Sequence, residues 1–289
     1  MNKISGERVA LVTGGTDGIG KAVAIQLARA GDRLLFVGRN RERGAQVLAA
    51  LNEVLPGVNH IFLPADLSLL VECARVANEV TQHTDRLDAI VFCAGILSTV
   101  PEWTSEGLER NFVLNYLSRY LLARRLLPAL MLAPSGWLVL VSNAGMYRDS
   151  IDFDDLQYLR GKPGMQVAAR TQFANDLLAT ELAARMRDTR VEVTCVFPGI
   201  TNTGVFRNAI GLPKIVRILA PVVQRLIALS PDEAARTPVF LAKNINAVGT
   251  GGHFYGPNLK KRRIPMRAQR IERRNGLWAM SEELVRQYL

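Results

Sequence analysis

Short runs of apolar residues alternate with stretches of helical period along most of this 289-residue chain. The runs are hydrophobic at consecutive positions, which is typical of parallel strands covered on both faces. Six runs predict strands: RVALVTG, RLLFVGR, HIFLPADL, DAIVFCAG, GWLVLVSN and VEVTCVFPG. Amphipathic helices are expected between them, for example from Gly18 to Ala30. The alternation predicts one α/β domain with a doubly wound parallel sheet.

Two segments depart from this rhythm. Residues 201–231 contain IVRILAPVVQRLIALSP, which alternates apolar and basic residues around Pro221. We expect a lid over the cleft of the domain; a membrane-surface or subunit-contact helix is the alternative, although Pro221 disfavours one long helix. We therefore predict a domain over 1–257 and a basic tail over 258–289 that packs on it or extends from it.

The net charge of +10 is concentrated in that tail. Eight bases and one acid between Asn258 and Arg274 contribute +7 of it, so the rest of the chain is nearly neutral. No aromatic residue interleaves these bases, as a single-strand-binding surface would require. We expect a solvated or self-docking surface and no nucleic acid partner.

Cysteine and histidine usage indicates neither disulfides nor a metal site. Cys73, Cys93 and Cys195 are odd in number and lack ligand spacing, and the three histidines are isolated from one another. No stretch approaches the roughly 20 apolar residues of a membrane span. We expect a soluble cytoplasmic protein with no metal and no transmembrane segment.

A glycine-rich turn joins the first predicted strand to the first helix. In TGGTDGIG, Gly14 permits a tight turn, Gly18 permits backbone to approach a pyrophosphate, and Gly20 permits close helix–strand packing. The helix N-terminus adds free N–H groups for phosphate. The turn therefore predicts dinucleotide binding by a Rossmann-type domain.

The end of the second strand indicates which dinucleotide is bound. The sequence FVGRNRERG offers Arg39 and no acid for a ribose 2′-hydroxyl. A guanidinium suits a 2′-phosphate, so we expect NADP(H) in preference to NAD(H).

These motifs resemble the short-chain dehydrogenase/reductase (SDR) family over nearly the whole chain, and the retinol-dehydrogenase-like subgroup in particular. TGGTDGIG resembles the family's phosphate loop, ADLS its adenine-contacting turn, FCAG its Asn-Asn-Ala-Gly, and FPGITNT its Pro-Gly loop over the nicotinamide. The resemblance implies cofactor contacts from these residues: Thr13, Gly14, Thr16, Asp17, Gly18, Ile19, Gly20, Arg39, Asp66, Leu67, Ala94, Gly95, Gln172, Pro198, Gly199 and Thr203.

The chain departs from the family at its catalytic positions. The segment TQFANDLLATEL resembles the subgroup's SKLANVLFTREL without a gap, which places Ala168 at the Tyr position and Gln172 at the Lys position. The Ser position holds Asn143, with Ser142 before it, and Asn115 retains the family's Asn. The resemblance thus implies that the proton donor and its cation are absent.

Other side chains are candidates for that role. Tyr158 and Lys162 form a Tyr-x-x-x-Lys string, but Gly161, Pro163 and Gly164 break the helix it would need. Asn143 has an amide that can donate to an oxyanion, or it is a turn residue.

The next loop contains Tyr147, Arg148 and Asp149, and in the family this loop borders the substrate. These three residues either supply an alternative acid or base or are ordinary surface residues.

Three functions are consistent with these residues. The first is an NADP(H)-binding enzyme of redirected chemistry on a hydrophobic small molecule, either hydride transfer to a non-ketone acceptor or a redox-neutral isomerisation or cyclisation, as in specialised metabolism. The second is a catalytically silent nucleotide-binding or scaffold protein. The third is a conventional carbonyl reductase with a displaced Tyr147 or Tyr158. The family also implies a homodimer.

Overall fold

The computed structural model describes residues 7–201, 209–211, 228–243 and 252–289. Its eight-stranded sheet has the order β3-β2-β1-β4-β5-β6-β7-β8. The pairs from β3 through β7 are parallel, and β8 is antiparallel to β7. The strands are β1 Val9–Thr13, β2 Arg33–Gly38, β3 Ile61–Pro64, β4 Ala89–Phe92, β5 Gly136–Val141, β6 Val191–Val196, β7 Phe254–Tyr255 and β8 Lys261–Arg262.

Helices cover both faces of the sheet. They are α1 Gly18–Arg29, α2 Arg41–Val54, α3 Leu70–His83, α4 Arg110–Phe112, α5 Ser118–Met131, α6 Gln166–Arg185, α7 Pro231–Lys243, α8 Met266–Gln269 and α9 Ile271–Val285. A π-helical turn, Val113–Leu117, connects α4 to α5. Each sheet face carries its own buried apolar cluster, so the predicted doubly wound α/β fold is confirmed.

The strand order reverses on either side of β1, and this reversal creates the functional edge. Thr13 at the end of β1 lies opposite Val37 of β2 on one side and Phe92 of β4 on the other. The segments that follow these strands therefore meet at one carboxyl edge. In open α/β sheets that edge is where ligands bind.

The C-terminal segment packs on the domain. Leu277 and Val285 of α9 belong to one of the two apolar clusters. Tyr116 shares a 2.8 Å hydrogen bond with Ser281, and the ring of Trp278 contacts Tyr120 edge-on. Sequence patterning did not predict these helices, because the clustered bases obscure their few apolar positions.

The same packing bears on the expected homodimer. Helix α9 also contacts α6, where Arg274 pairs with Glu181 at 3.5 Å and Arg185 stacks on Trp278. Helix α9 therefore covers part of the surface of α6, and the homodimer stays a prediction.

Candidate active site

The turn between β1 and α1 has a shape that only glycine permits. Gly14 has a φ of +68°, and a Cβ added there would lie 2.8 Å from the backbone N of Ala94. A Cβ on Gly20 would lie 2.3 Å from the carbonyl oxygen of Gly14. Asp17 begins α1 by accepting a 2.8 Å hydrogen bond from the N–H of Gly18. The N–H groups at the start of this helix are therefore placed to bind an anionic group such as a phosphate.

A cavity of about 360 Å³ lies along this edge. The predicted residues that line it are Gly14, Thr16, Asp17, Gly18, Ile19, Gly20, Arg39, Leu67, Ala94 and Gly95. Two others support its wall from behind: the Thr13 hydroxyl accepts from the N–H of Ala94 at 3.2 Å, and Asp66 accepts from the Ser68 hydroxyl at 2.7 Å. The glycine cradle and the helix start together fit a dinucleotide.

Two arginines lie at the end of the cavity beside β2. Arg39 pairs with Asp66 at 3.7 Å and Arg43 with Asp17 at 2.6 Å, and both side chains are about half exposed. Arg43 was not among the predicted site residues. Its signal was the third arginine of FVGRNRERG, which α2 turns toward the cavity. Together the pair offers an anionic group two guanidinium partners.

Asn115 joins the cavity wall to α6. Its side chain accepts from the N–H of Ile96 at 2.9 Å and donates to the carbonyl of Ile96 at 3.0 Å. Its own carbonyl accepts from the Asn175 amide at 3.0 Å. Asn115 sits in the π-helical turn, which frees this carbonyl from the regular helical ladder. The contacts make it a positioning residue for the Ile96 loop.

At the catalytic end, α6 meets the loop that follows β5. The side-chain oxygen of Gln172 accepts from the Ser142 hydroxyl at 2.7 Å and from the N–H of Asn143 at 3.1 Å. Ala168, one turn earlier, is 4% exposed. The 360 Å³ cavity is lined by other residues: its lining does not include Ser142, Asn143 and Gln172, which form this contact, or Ala168. The contact contains no ionisable side chain.

The loop after Asn143 leads away from this contact. Asp149 pairs with Arg273 at 2.5 Å and lies 4.0 Å from Arg267, two residues of the basic tail. It lines a separate pocket with these arginines. The structure thus does not bring Asp149 to the cavity, and its carboxylate is neutralised where it lies. Tyr147 stays half-buried in the loop.

Tyr158 and Lys162 do not share a helix. Tyr158 has a φ of +58°, and α6 begins only at Gln166. The Tyr158 ring stacks on the guanidinium of Arg170 at 4.8 Å, and its hydroxyl lies 3.4 Å from the carbonyl of Lys162. The glycines and proline of this segment interrupt the helix as predicted.

The Pro-Gly loop after β6 is described only at its start. Pro198 is buried, and Gly199 has a φ of +92° with the Leu229 side chain 2.8 Å from its added Cβ. Thr203 and most of the predicted lid over 201–231 lie outside the described residues. Within the described ranges no group of His, Cys, Asp and Glu could hold a metal ion, and no helix is long and apolar enough to cross a membrane.

Comparison with known proteins decides the family. The short chain dehydrogenase family model matches residues 8–153, just over half of the chain. This chain belongs to the short-chain dehydrogenase family. Family members are oxidoreductases that bind nicotinamide cofactors, which agrees with the glycine cradle.

Named relatives and a solved structure extend the match over the chain. Retinol dehydrogenase 14 of Homo sapiens is 30% identical over 96% of this chain and 86% of its own length. Polyprenol dehydrogenase of Homo sapiens is 29% identical over 96% of this chain and 85% of its own. A Shigella flexneri short chain dehydrogenase complexed with NADP is similar with a TM-score of 0.66 and 25% identity, covering 86% of this chain and 96% of that one.

Two ionisable residues of this SDR protein, Asp176 and Arg262, contact the loop after β5 and were missed from sequence. The N–H of Gly145 donates to both carboxyl oxygens of Asp176, at 3.1 and 3.2 Å, and Arg262 donates to the carbonyl of Ala144 at 2.9 Å. Burial raises the pKa of the Asp176 carboxyl to about 8. The available signal was an acid within the apolar stretch FANDLLATEL.

A buried ion pair fixes the start of the same helix. Arg170 of α6 pairs with Glu109, which also accepts from the N–H groups of Asn111 and Phe112 at the start of α4. Both side chains of the pair are at most 4% exposed. The buried pair thus ties α6 to the start of α4 in this SDR chain.

Proposed function

We propose that this SDR chain is an NADP(H)-binding enzyme that lacks the family's Tyr/Lys proton donor and acts on a hydrophobic small molecule. The observation that carries the proposal is the contact of Gln172 with Ser142 and Asn143. It supports the alignment that places Gln172 at the Lys position and Ala168 at the Tyr position, because α6 presents this residue to the loop after β5.

The nicotinamide, when bound, supplies or accepts hydride. The residues of this chain then determine which acceptor is suitable. Ala168 has no proton to donate and Gln172 has no charge, and losing a positioned general acid costs about 10²–10⁴ in rate. We infer that ordinary ketone reduction is slow. An iminium or conjugated alkene needs less protonation, and a redox-neutral isomerisation or cyclisation needs no hydride.

Asn143 is the group that we assign to the substrate. Its side-chain amide is a donor that can stabilise developing negative charge without losing a proton. The preference for NADP(H) is assigned to Arg39 and Arg43, whose guanidinium groups flank the end of β2. The names of the retinol and polyprenol dehydrogenases support a hydrophobic substrate, possible classes being retinoids and prenyl chains.

A conventional dehydrogenase is the second candidate. The relatives with about 30% identity are named as dehydrogenases, which favours it. It would require Tyr147 to reach the substrate from the loop after β5. Replacement of Tyr147 by Phe would then abolish carbonyl reduction, whereas the redirected enzyme would keep its activity.

The experiment is a parallel titration of the purified protein with NADPH and NADH, followed by nicotinamide fluorescence and by heat. Binding with a clear preference for NADPH is expected. Stereospecifically deuterated NADPH then shows whether label passes to a product. Failure to bind either nucleotide would overturn the proposal and leave a scaffold or a nucleotide-free enzyme.

A further inference from the structure

Arg119 lies behind the wall of the dinucleotide cavity. It is in α5 and is 5% exposed. One terminal nitrogen donates to the carbonyl of Ala94 at 2.9 Å, and the other donates to the side-chain oxygen of Asn175 at 3.3 Å. Ala94 and Gly95 are themselves cavity wall. A single layer of backbone therefore separates this guanidinium from the cavity.

The Arg119 guanidinium lies close to the cavity wall at Gly95, which has no side chain. A Cβ added at Gly95 would lie 3.9 Å from the terminal nitrogen of Arg119. On the cavity side, the backbone of Ala94 touches the phosphate loop, since its N lies 2.8 Å from the Cβ position of Gly14. The Arg119 side chain thus approaches the phosphate loop from the opposite face of the Ala94–Gly95 backbone.

The charge of Arg119 is not neutralised by its surroundings. Among the described residues it forms no ion pair with a carboxylate, and its Nε has no hydrogen-bond partner. The thiols of Cys93 and Cys195 are its titratable neighbours, and burial raises the pKa of both. Beyond Cys195 lies the buried carboxyl of Asp176. Burial lowers the pKa of Arg119 only to about 10, so the group is cationic at neutral pH.

A buried cation without a counter-ion costs free energy unless an anion offsets it. The cavity beside it has the glycine cradle of a dinucleotide site, and the diphosphate of a dinucleotide carries two negative charges. In a partly buried site such charges interact with little screening by water or salt. We propose that Arg119 is the buried cation that attracts the cofactor's diphosphate, acting through the Ala94–Gly95 wall.

This inference rests on the proposed function, since it needs a bound dinucleotide. It assigns Arg119 to a different part of the cofactor from the part assigned to Arg39. Arg39 is proposed to read the 2′-phosphate, which only NADPH carries, whereas Arg119 acts on the diphosphate that NADPH and NADH share. Variants of the two arginines should therefore differ in which nucleotide they weaken as well as in how much they weaken it.

The test measures dissociation constants of NADPH and NADH for the full-length protein and its variants at low and high salt. Arg119→Gln and Arg119→Met should weaken both nucleotides by about tenfold, which corresponds to about 1.4 kcal/mol. Arg119→Lys, which keeps the charge but not the paired hydrogen bonds, should stay within about twofold of the wild type. The loss should persist at high salt, because the charge is buried.

Two control variants separate charge from position. Arg125→Met removes a cation from the partly exposed side of the same helix and should leave both constants unchanged. Arg39→Met should weaken NADPH and spare NADH. Thermal melts of every variant report whether the fold is kept.

The outcomes distinguish the two proposals. If the wild type binds neither nucleotide, the proposed function fails. If the wild type binds and Arg119→Lys is as weak as the neutral variants, or the neutral variants bind normally, the Arg119 inference is overturned. If the neutral variants do not fold, Arg119→Lys still decides: near-wild-type affinity supports a role of charge, and a tenfold loss contradicts it.

Discussion

The two ends of the carboxyl edge differ in what they require of the sequence. At the nucleotide end, Gly14 and Gly20 are fixed by backbone approach, since any Cβ would meet backbone atoms within 3.0 Å. At the catalytic end, Ala168 and Gln172 satisfy packing and hydrogen bonding with neutral side chains. The binding groove is formed by the backbone and is therefore kept whenever the fold is kept. Acid–base chemistry depends instead on two side chains that the fold does not need.

The largest effect is expected from the ion pair that fixes the catalytic helix. Arg170→Met would leave the Glu109 carboxylate buried without its cation, which typically costs about 3–5 kcal/mol. Urea unfolding measures the loss. Arg286→Met, at the exposed pair with Glu283, is the control and should change stability by at most about 0.5 kcal/mol. Equal effects at the two sites would show that α6 is not held as described.

The next largest effect is expected on NADPH affinity, from a change at the nucleotide end alone. Gly14→Ala forces a Cβ against Ala94 and should weaken NADPH binding at least about 100-fold, or about 2.7 kcal/mol. Gly31→Ala is the matched control, because Gly31 also has a positive φ of +87° but no atom within 4 Å of the added Cβ. Calorimetric titration gives both constants. Unaltered affinity in Gly14→Ala would place the cofactor elsewhere.

The pH dependence of stability tests the loop beside Gln172. The pKa of Asp176 is raised to about 8 in the folded protein, so between its ordinary value and about pH 8 the folded state holds a proton that the unfolded chain has released. Stability should therefore fall as pH rises, by about 2 kcal/mol between about pH 6 and 8.

Asp176→Asn removes this titration while keeping an oxygen for the N–H of Gly145. Its stability should change less with pH and should exceed that of the wild type at about pH 8. The comparison is made by urea unfolding at a series of pH values. A wild-type stability that rises with pH through this window would contradict burial as the cause of the raised pKa.

The smallest effect concerns the choice of cofactor. Arg43→Met should lower the NADPH preference by up to about tenfold, because it removes one of two guanidinium partners for the 2′-phosphate. NADH affinity should not change. Equal weakening of both nucleotides would instead assign Arg43 to the structure of the loop through its pair with Asp17.

The sequence predicted the sheet, the phosphate loop and the cavity wall because each follows from local rules. Apolar runs predict buried strands, and glycines mark close backbone approach. Asp176, Arg262 and Arg119 could not be predicted, because their roles depend on contacts between residues far apart in the chain. The pairing of Asp149 with Arg273 could not be predicted for the same reason, because Arg273 lies in the basic tail, 124 residues later.

The C-terminal helices show a further limit. Clustered bases left open whether the tail is solvated or docks on the domain, whereas in the structure Leu277 and Val285 are buried in an apolar cluster. Two apolar residues in a basic segment are too few for a periodic signal. Their burial follows from the surface that the rest of the fold offers.

We propose that this chain binds the cofactor but lacks the acid for carbonyl reduction. The deciding experiment mixes the NADPH complex with retinal and follows the absorbance of the reduced nicotinamide over a single turnover, for the wild type and for Ala168→Tyr/Gln172→Lys. We expect the folded double variant to oxidise NADPH at least about 100-fold faster than the wild type. Oxidation by the wild type at about 1 s⁻¹ or faster, within the ordinary range of enzymes, would contradict it.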